Sequence, residues 1–598
     1  MSEKLLELVI VGVYLLFLMG VGFSFRKFNA DSSDYFRAGA KGTWWLVGSS
    51  IFMSGISSYT FVGNGAGIYE SGWSPLVIYG ANTMVFVLSF LIFAAWFRQL
   101  RAVTVGEVVR ERFGPRTEQF VAYLFVLNAL FWSAMQLYGL AIFSRMLLGD
   151  LNTMWVILIV GGVVLVYATI GGNWAVMAND FVQSLILVPI TVLVAFLCLQ
   201  KVGGWDGFQS MIAANPETAR DFKMVNSADE FDAGKYGPWW ILAVFIGQLL
   251  GQLNMTQGAI RFFSVKDGWE GKKASLLAGI LMAVGCFVWF IPPMTGRLLY
   301  EEQIMASTPD PAKAAESAYA ITSFNVLPLG LTGVMVVAMF AATISSMDTG
   351  LNRNAALIVR DIIPAILRIF KLRKIPHTAE VILSRAVTVG MGAVIILLAL
   401  SYSQLKGTDL FEIALNFMAI ILIPTSVPML LAFLVKRTAP WAAASSILLG
   451  FLPSLFQLVS GVDWSFQQRT FLITGGALLG YFISMPFYRR SPAEYRERVE
   501  GFFTKMHRPV DFEKEVGVSN DGIQMLIIGR YALALGGFLA LLVFVPNPLW
   551  GRLSVVTVAG SVLLVGGILL AFGRRQHARE KKRLEAAAAA VEERNDKQ

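Results

Sequence analysis

Between Phe340 and Asn354 the chain reads FAATISSMDTGLNRN, which places Thr343, Ser345, Ser346, Asp348 and Thr349 directly after an apolar run. In an α-helix, positions i, i+3 and i+4 share a face, so Ala342, Ser345, Ser346 and Asp348/Thr349 form one oxygen-rich stripe. The hydroxyls can be satisfied by their own helix backbone. A carboxylate cannot, and at bilayer depth it costs at least about 2.5 to 3.5 kcal/mol. Asp348 therefore calls for a partner: a hard cation, which prefers oxygen ligands, or Arg353 on the same helix. Cysteine and histidine chemistry is excluded. Cys198 and Cys286 sit in apolar runs with no disulfide framework, and His377, His507 and His577 fall in polar connecting segments. No nucleophile–base pair or phosphate loop supports an enzyme.

The elements that must position this stripe are membrane helices. The 598 residues are 56% hydrophobic and only 15% charged, with mean hydropathy +0.62, far from an ordinary soluble domain. The net charge of +9 comes from short basic clusters between apolar runs, so it reflects positive-inside bias and not nucleic acid binding. Apolar spans are expected near 5–25, 44–69, 76–97, 118–147, 152–171, 175–200, 238–262, 273–299, 328–358, 381–402, 409–435, 439–460, 468–488, 524–546 and 550–573, fifteen in all. The first reads as an anchor, because its leader MSEK is barely basic and no small-residue cleavage site follows. With the amino terminus outside, alternate short loops carry the Lys and Arg clusters, among them Arg98/Arg101/Arg110/Arg112/Arg116, Lys266/Lys272/Lys273 and Lys436/Arg437. That pattern predicts a multi-pass protein of the plasma (inner) membrane with a cytoplasmic carboxyl terminus.

Spans two to six and seven to eleven form two groups of five. The first helix of each is interrupted, by FMSGISSYTFVG (52–63) and GQLLGQLNMTQG (247–258). Paired broken helices point to an inverted repeat with a site at the bilayer midplane; glycines packing helix against helix are the competing reading. The expected architecture is an all-α polytopic membrane protein with a five-plus-five inverted-repeat transporter core and extra terminal helices. Its divisions are an N-terminal helix and linker (1–43), a first repeat (44–200), an extracellular loop (201–237), a second repeat (238–436), added helices (437–573) and a cytoplasmic tail (574–598).

Five motifs, ISSYTFVGNGAGIYESG, TVGEVVRERFG, YATIGGNWAVMANDFVQS, QGAIRFFSVKD and FAATISSMDTGLN, resemble those of the sodium/solute symporter family that includes sodium/glucose and sodium/proline cotransporters, over roughly residues 5–490. Asn173 departs from the family pattern, where the glycine pair is usually followed by an apolar residue. The resemblance implies a sodium site made by the backbone carbonyls of Met53, Ile56 and Ala342 and the hydroxyls of Ser345 and Ser346. It implies a second sodium, found in some relatives, at Asp180, Ser345, Asp348 and Thr349; Asp348 replaces a serine-type ligand there. Sodium is thus the expected coupling ion, one or two per cycle, with no other cofactor.

Matched to the family's substrate-lining positions are Asn64, Tyr79, Asn82, Gln248 and Asn416, with Phe411 as a gate; each is also readable as an interhelical hydrogen-bond partner. Tyr79 and Met282 stand where galactose-transporting relatives place an acid and a lysine, which argues against a galactose-like mode. The expected partners are therefore a small organic solute, Na+ and the lipid bilayer, with no nucleic acid and no obligate protein partner. A neutral polyol or sugar is favoured, amino or organic acids next. A channel, a proton-coupled symporter and a transporter-like sensor are the rival classes; a sensor would need a signalling module larger than the tail after 573.

Overall fold

The protein is described by a computed structural model over residues 3–25, 38–149, 151–168, 173–227, 229–231, 234–253, 259–371 and 377–595. Among these residues it is helical, with one isolated bridge between Gly42 and Val265. α1 is Glu3–Phe25, and the second expected span is split into α2 (Trp44–Ser54) and α3 (Ser58–Ser71). α4 (Leu76–Leu88) runs on through a π-helical turn, and α5 (Val105–Phe113), α6 (Pro115–Leu148), α7 (Thr153–Ala168) and α8 (Asn173–Lys201) follow. Next come α9 (Pro238–Gln252), α10 (Gly268–Leu299), α11 (Ala318–Val326), α12 (Leu331–Leu357) and α13 (His377–Gln404). α14 (Leu410–Phe417) continues through another π-turn to Leu434, and α15 (Ala442–Ser460), α16 (Phe466–Phe482), α17 (Ala493–Met506), α18 (Asp521–Leu541) and α19 (Leu549–Asn595) complete the order.

Eleven described helices are long and apolar enough to cross a membrane, against the fifteen expected. The other four expected spans fall on shorter apolar helices, Thr153–Val166, Pro238–Gln252 and Leu331–Met347, and on the broken pair α2/α3. α12 is helical to Leu357, but its polar second half ends the apolar stretch.

The break in α2/α3 follows from local chemistry. Gly55 ends α2 with its amide on Ile51 and Phe52 carbonyls, and Ser57 is fully extended at φ −151°, ψ 179°. Ser57 and Thr60 then cap α3 reciprocally, with the Ser57 amide donating to Thr60 Oγ1 at 3.2 Å. The Ser58 amide is satisfied from another element altogether, by Thr343 Oγ1 on α12 at 3.2 Å. α2 packs on α8 and on α10; at Gly48 the approach to α10 is so close that a Cβ would lie 2.8 Å from the Ala274 carbonyl.

The basic loops meet on one face. Buried Arg112 donates to the carbonyls of Ala432, Val435 and Lys436, to Thr438 Oγ1 and to Tyr495 OH on α17. Arg101 pairs with Glu515, Lys505 with Glu111, and Lys266 with Asp521 at the start of α18. At the other end of the bundle, buried Glu7 of α1 caps the start of α12. Its carboxylate accepts from the amides of Gly330 and Gly333, both at 2.6 Å, and from Thr332 Oγ1. A carboxylate on the N-terminal amides of a helix is favoured both by the unpaired N–H groups and by the helix dipole.

Glu7→Ala should therefore lower the melting temperature in detergent, costing about 3 kcal/mol through two orphaned amides and a lost charge-assisted pair. Glu3→Ala, at an exposed position, should leave it unchanged. Equal melting of the two variants would show that the clamp carries no stability.

Candidate functional site

Ser346 lies where the broken helix and α12 meet. Its Oγ is 2.8 Å from the Ile56 carbonyl oxygen, 3.1 Å from that of Ala342, and 3.4 Å from those of Met53 and Ser54. A hydroxyl has one proton to give, so it satisfies one of these four oxygens at a time. The others crowd a common space that a hard cation would fill. The sequence-matched carbonyls of Met53, Ile56 and Ala342 are thus brought together around Ser346, and Ser54 adds an oxygen that the motif comparison did not name.

Ser345 faces a neighbouring cluster. Its hydroxyl donates to Asp180 Oδ1 at 2.5 Å, Ser50 Oγ donates to the other carboxylate oxygen, and Arg261 Nη2 stands 3.3 Å from that oxygen. Asp180 and Arg261 are both buried. Removing such a charge from water is tolerated only when it is paired and fully hydrogen-bonded, which these three donors achieve. Ser345 and Asp180 are therefore together, as the second-ion reading requires, while the side chains of Asp348 and Thr349 lie outside the described residues. Ser50 and Arg261 were missed, although Arg261 lies in the quoted motif QGAIRFFSVKD; helical spacing ranks faces within one helix and cannot name a partner on another.

A cavity of about 190 Å³ adjoins Ser346. Asn64, Tyr79, Asn82 and Gln248 line it, with the Asn64 amide donating to Tyr79 OH at 3.0 Å. Met282 lines it too, and the cavity extends past Phe97, Phe262, Arg261 and Arg353. Asn416 does not line it: the residue is exposed and accepts from Arg469 on α16. Five residues separate Asn416 from Phe411, a rotation of about 140° around the helix, so both cannot face the cavity. Phe411 is fully buried, its ring so close over Gly67 that a Cβ there would be 2.9 Å away, with Tyr236 and Trp240 behind it.

Polar contacts hold this end shut. Lys235 Nζ bridges Glu70 at the end of α3 (2.9 Å) and Glu412 on α14 (3.2 Å), and Tyr236 OH donates to Glu70 at 2.7 Å. Glu316, just before α11, accepts from Tyr138 OH on α6 at 3.1 Å and from the Leu410 amide at 2.9 Å. Burial pushes its carboxyl up to about 8; Asp409 alongside adds to the rise, and Lys313 opposes it.

Residues 35–450 match the family described as the Sodium:solute symporter family. The chain belongs to that family. It is 24% identical over 502 residues to the sodium/sialic acid symporter NanT of Aliivibrio fischeri, covering 81% of this chain and 94% of the relative. It is 26% identical to mouse sodium/glucose cotransporter 1, over 76% of this chain and 71% of that one. The solved structure of a Na+-coupled sialic acid symporter in a substrate-bound outward-open state superposes with a TM-score of 0.65 at 21% identity, covering 81% and 98% of the two chains, which shows a shared transporter fold. Sodium-coupled symport of a solute is the activity of this class, and its members are transporters.

Ser346→Ala removes the oxygen on which the carbonyls converge. The sodium concentration giving half-maximal uptake in proteoliposomes should rise about tenfold, the equivalent of 1.4 kcal/mol, with insertion unaffected. Unchanged sodium activation in Ser346→Ala would place the ion elsewhere.

Proposed function

We propose that this protein imports a small neutral polyhydroxylated solute together with Na+ by alternating access, with the ion held at Ser346 and the carbonyls of Met53, Ser54, Ile56 and Ala342. The observation that carries the reading is the convergence of these oxygens beside a polar cavity that contains no lysine and no carboxylate among its described lining residues. Of the two relatives compared above, one is named for sialic acid and one for glucose. The absence of a lining lysine and the pairing of Arg261, one of two lining arginines, with Asp180 favour the neutral class.

The basic face is read as cytoplasmic, which puts the amino terminus and the Glu7 clamp outside and the tail inside a plasma membrane. The described conformation is then closed outside, by Phe411, Lys235 and Glu316, with the cavity extending inward past Phe262 and Arg353. Sodium bridges the broken α2/α3 segment and α12, so its binding orders the elements that also line the solute cavity, and each ligand raises the other's affinity. The two five-helix groups, 44–200 and 238–436, are the units proposed to rock against each other.

A second cation at Asp180, Ser345, Asp348 and Thr349 doubles the driving force. A potential of about 100 mV is worth roughly 2.3 kcal/mol per charge and a tenfold sodium gradient about 1.4 kcal/mol. One ion then supports accumulation of a neutral solute on the order of 500-fold, two on the order of 10⁵-fold. The voltage at which solute flux reverses in proteoliposomes gives the ratio. Two ions per solute in the native protein and one in Asp348→Asn is the expected result; a native ratio of one removes the second site.

Outside closure should also depend on pH. In the closed state burial pushes the Glu316 carboxyl up to about 8; once lifted into water it returns to the ordinary value of about 4.3. Closing therefore takes up a proton, a stabilisation fully present below about 4.3 and lost as external pH rises through about 8. Alkaline medium should speed labelling of Asn64→Cys by an impermeant thiol reagent, and Glu316→Gln should remove the part of that rise that exceeds the thiol's own response near pH 8. The native Cys198 and Cys286 are buried. Identical pH profiles with and without Glu316 would exclude the carboxyl from the closure.

A further inference from the structure

The cavity has a wall that the motif comparison did not assign. On α6, Asn128, Trp132 and Gln136 recur at i, i+4 and i+8, so they share one face, and all three line the cavity. Asn82 on α4 faces the same space. Asn128 Oδ1, Gln136 Oε1, Asn82 Oδ1 and Trp132 Nε1 are each buried without a hydrogen-bond partner among the described residues. Asn128 is only 7% exposed. A buried polar atom left unpaired costs about 1–3 kcal/mol, so four around one cavity mark a surface built to be completed by a ligand. Trp132 is braced edge-on by Tyr59, with ring centroids 5.6 Å apart, and by Phe417 at 6.1 Å. That bracing holds the indole against the cavity.

We infer that Asn128, Trp132 and Gln136 of α6, with Asn82 of α4, form the solute-recognising wall, and that they select a neutral ring bearing several hydroxyl groups. The inference rests on the symport reading above and specifies its substrate side. A hydroxyl both donates and accepts, so it can complete an amide in either orientation and also accept from the indole N–H. The apolar face of such a ring lies against Trp132, where aromatic surface contributes area at low entropic cost. The four wall side chains are all neutral, so they offer a carboxylate no counter-charge for the hydration it would lose. Two arginines, Arg261 and Arg353, line the cavity as well: Arg261 is paired with Asp180, and Arg353 lies near Arg261.

The test is sodium-driven uptake of radiolabelled glucose, myo-inositol and sialic acid into proteoliposomes, by the native protein and by Asn128→Ala, Gln136→Ala, Trp132→Ala and Trp132→Phe. Glucose or myo-inositol should be taken up and sialic acid refused. Each amide variant should raise the KM for the accepted solute about three- to tenfold, the loss of one neutral hydrogen bond, with the half-activating sodium concentration unchanged. Trp132→Ala should raise the KM at least as much, and Trp132→Phe should restore part of the loss. Thermal stabilisation by sodium, retained in each variant, shows that the variant is folded. Uptake of sialic acid, or KM values unmoved in all four variants, would overturn this wall while leaving sodium symport standing. No sodium-dependent uptake of any of the three would overturn the neutral polyhydroxylated substrate and the wall together.

Discussion

The interaction on which the rest depends is the interrupted backbone ladder at Gly55–Ser58. Peptide groups away from water must find partners, and in a bilayer an irregular stretch survives only where protein or a wet cavity supplies them. Here the Ser57 and Ser58 amides are met by Thr60 and by Thr343 of α12, while the carbonyls of Met53, Ser54 and Ile56 converge on Ser346. The break therefore ties α3 to α12 through its donors and creates an oxygen-lined site through its acceptors. A continuous helix would satisfy all these groups internally and would leave α12 with no reason to carry its hydroxyls.

A second constraint is the buried carboxylate of Asp180. Its hydrogen bonds come from α2 through Ser50, from α12 through Ser345 and from the short helix Ala259–Phe262 through Arg261. Elements far apart in sequence are thus held by one anion. Any cation drawn to Asp180 must compete with, or displace, Arg261, so charge at this point and the relative position of those elements are coupled.

Much of this was legible in the sequence because it is periodic or positional. The stripe Ala342–Ser345–Ser346 was visible from helical spacing, and the carbonyls of Met53 and Ile56 came from the family resemblance, which any residue at those positions can satisfy because every residue supplies a carbonyl. What spacing could not reveal was facing. Asn416 and Phe411 share a helix, yet one points to Arg469 and the other to Gly67. Ser345 and Ser346 are adjacent, and their hydroxyls serve different clusters. The stripe Asn128–Trp132–Gln136 is written in the same spacing as the first, but a polar face on a long apolar helix gives no sign of what it meets. Its significance appears only when α4 and α6 enclose one space.

The clamp between Glu7 and the start of α12 has a consequence for how the protein is made. The donor and acceptor there are 323 positions apart, the Gly330 amide and the Glu7 carboxylate. At synthesis rates of about 5–20 residues per second, roughly 15 to 65 seconds pass between the appearance of the carboxylate and that of its amides. For that interval the first helix carries an acidic group without its partner, near the end of the helix where it can reach the interfacial water. The carboxylate of α1 is thus left waiting until α12 is made, and docking of α12 becomes the event that completes its pairing.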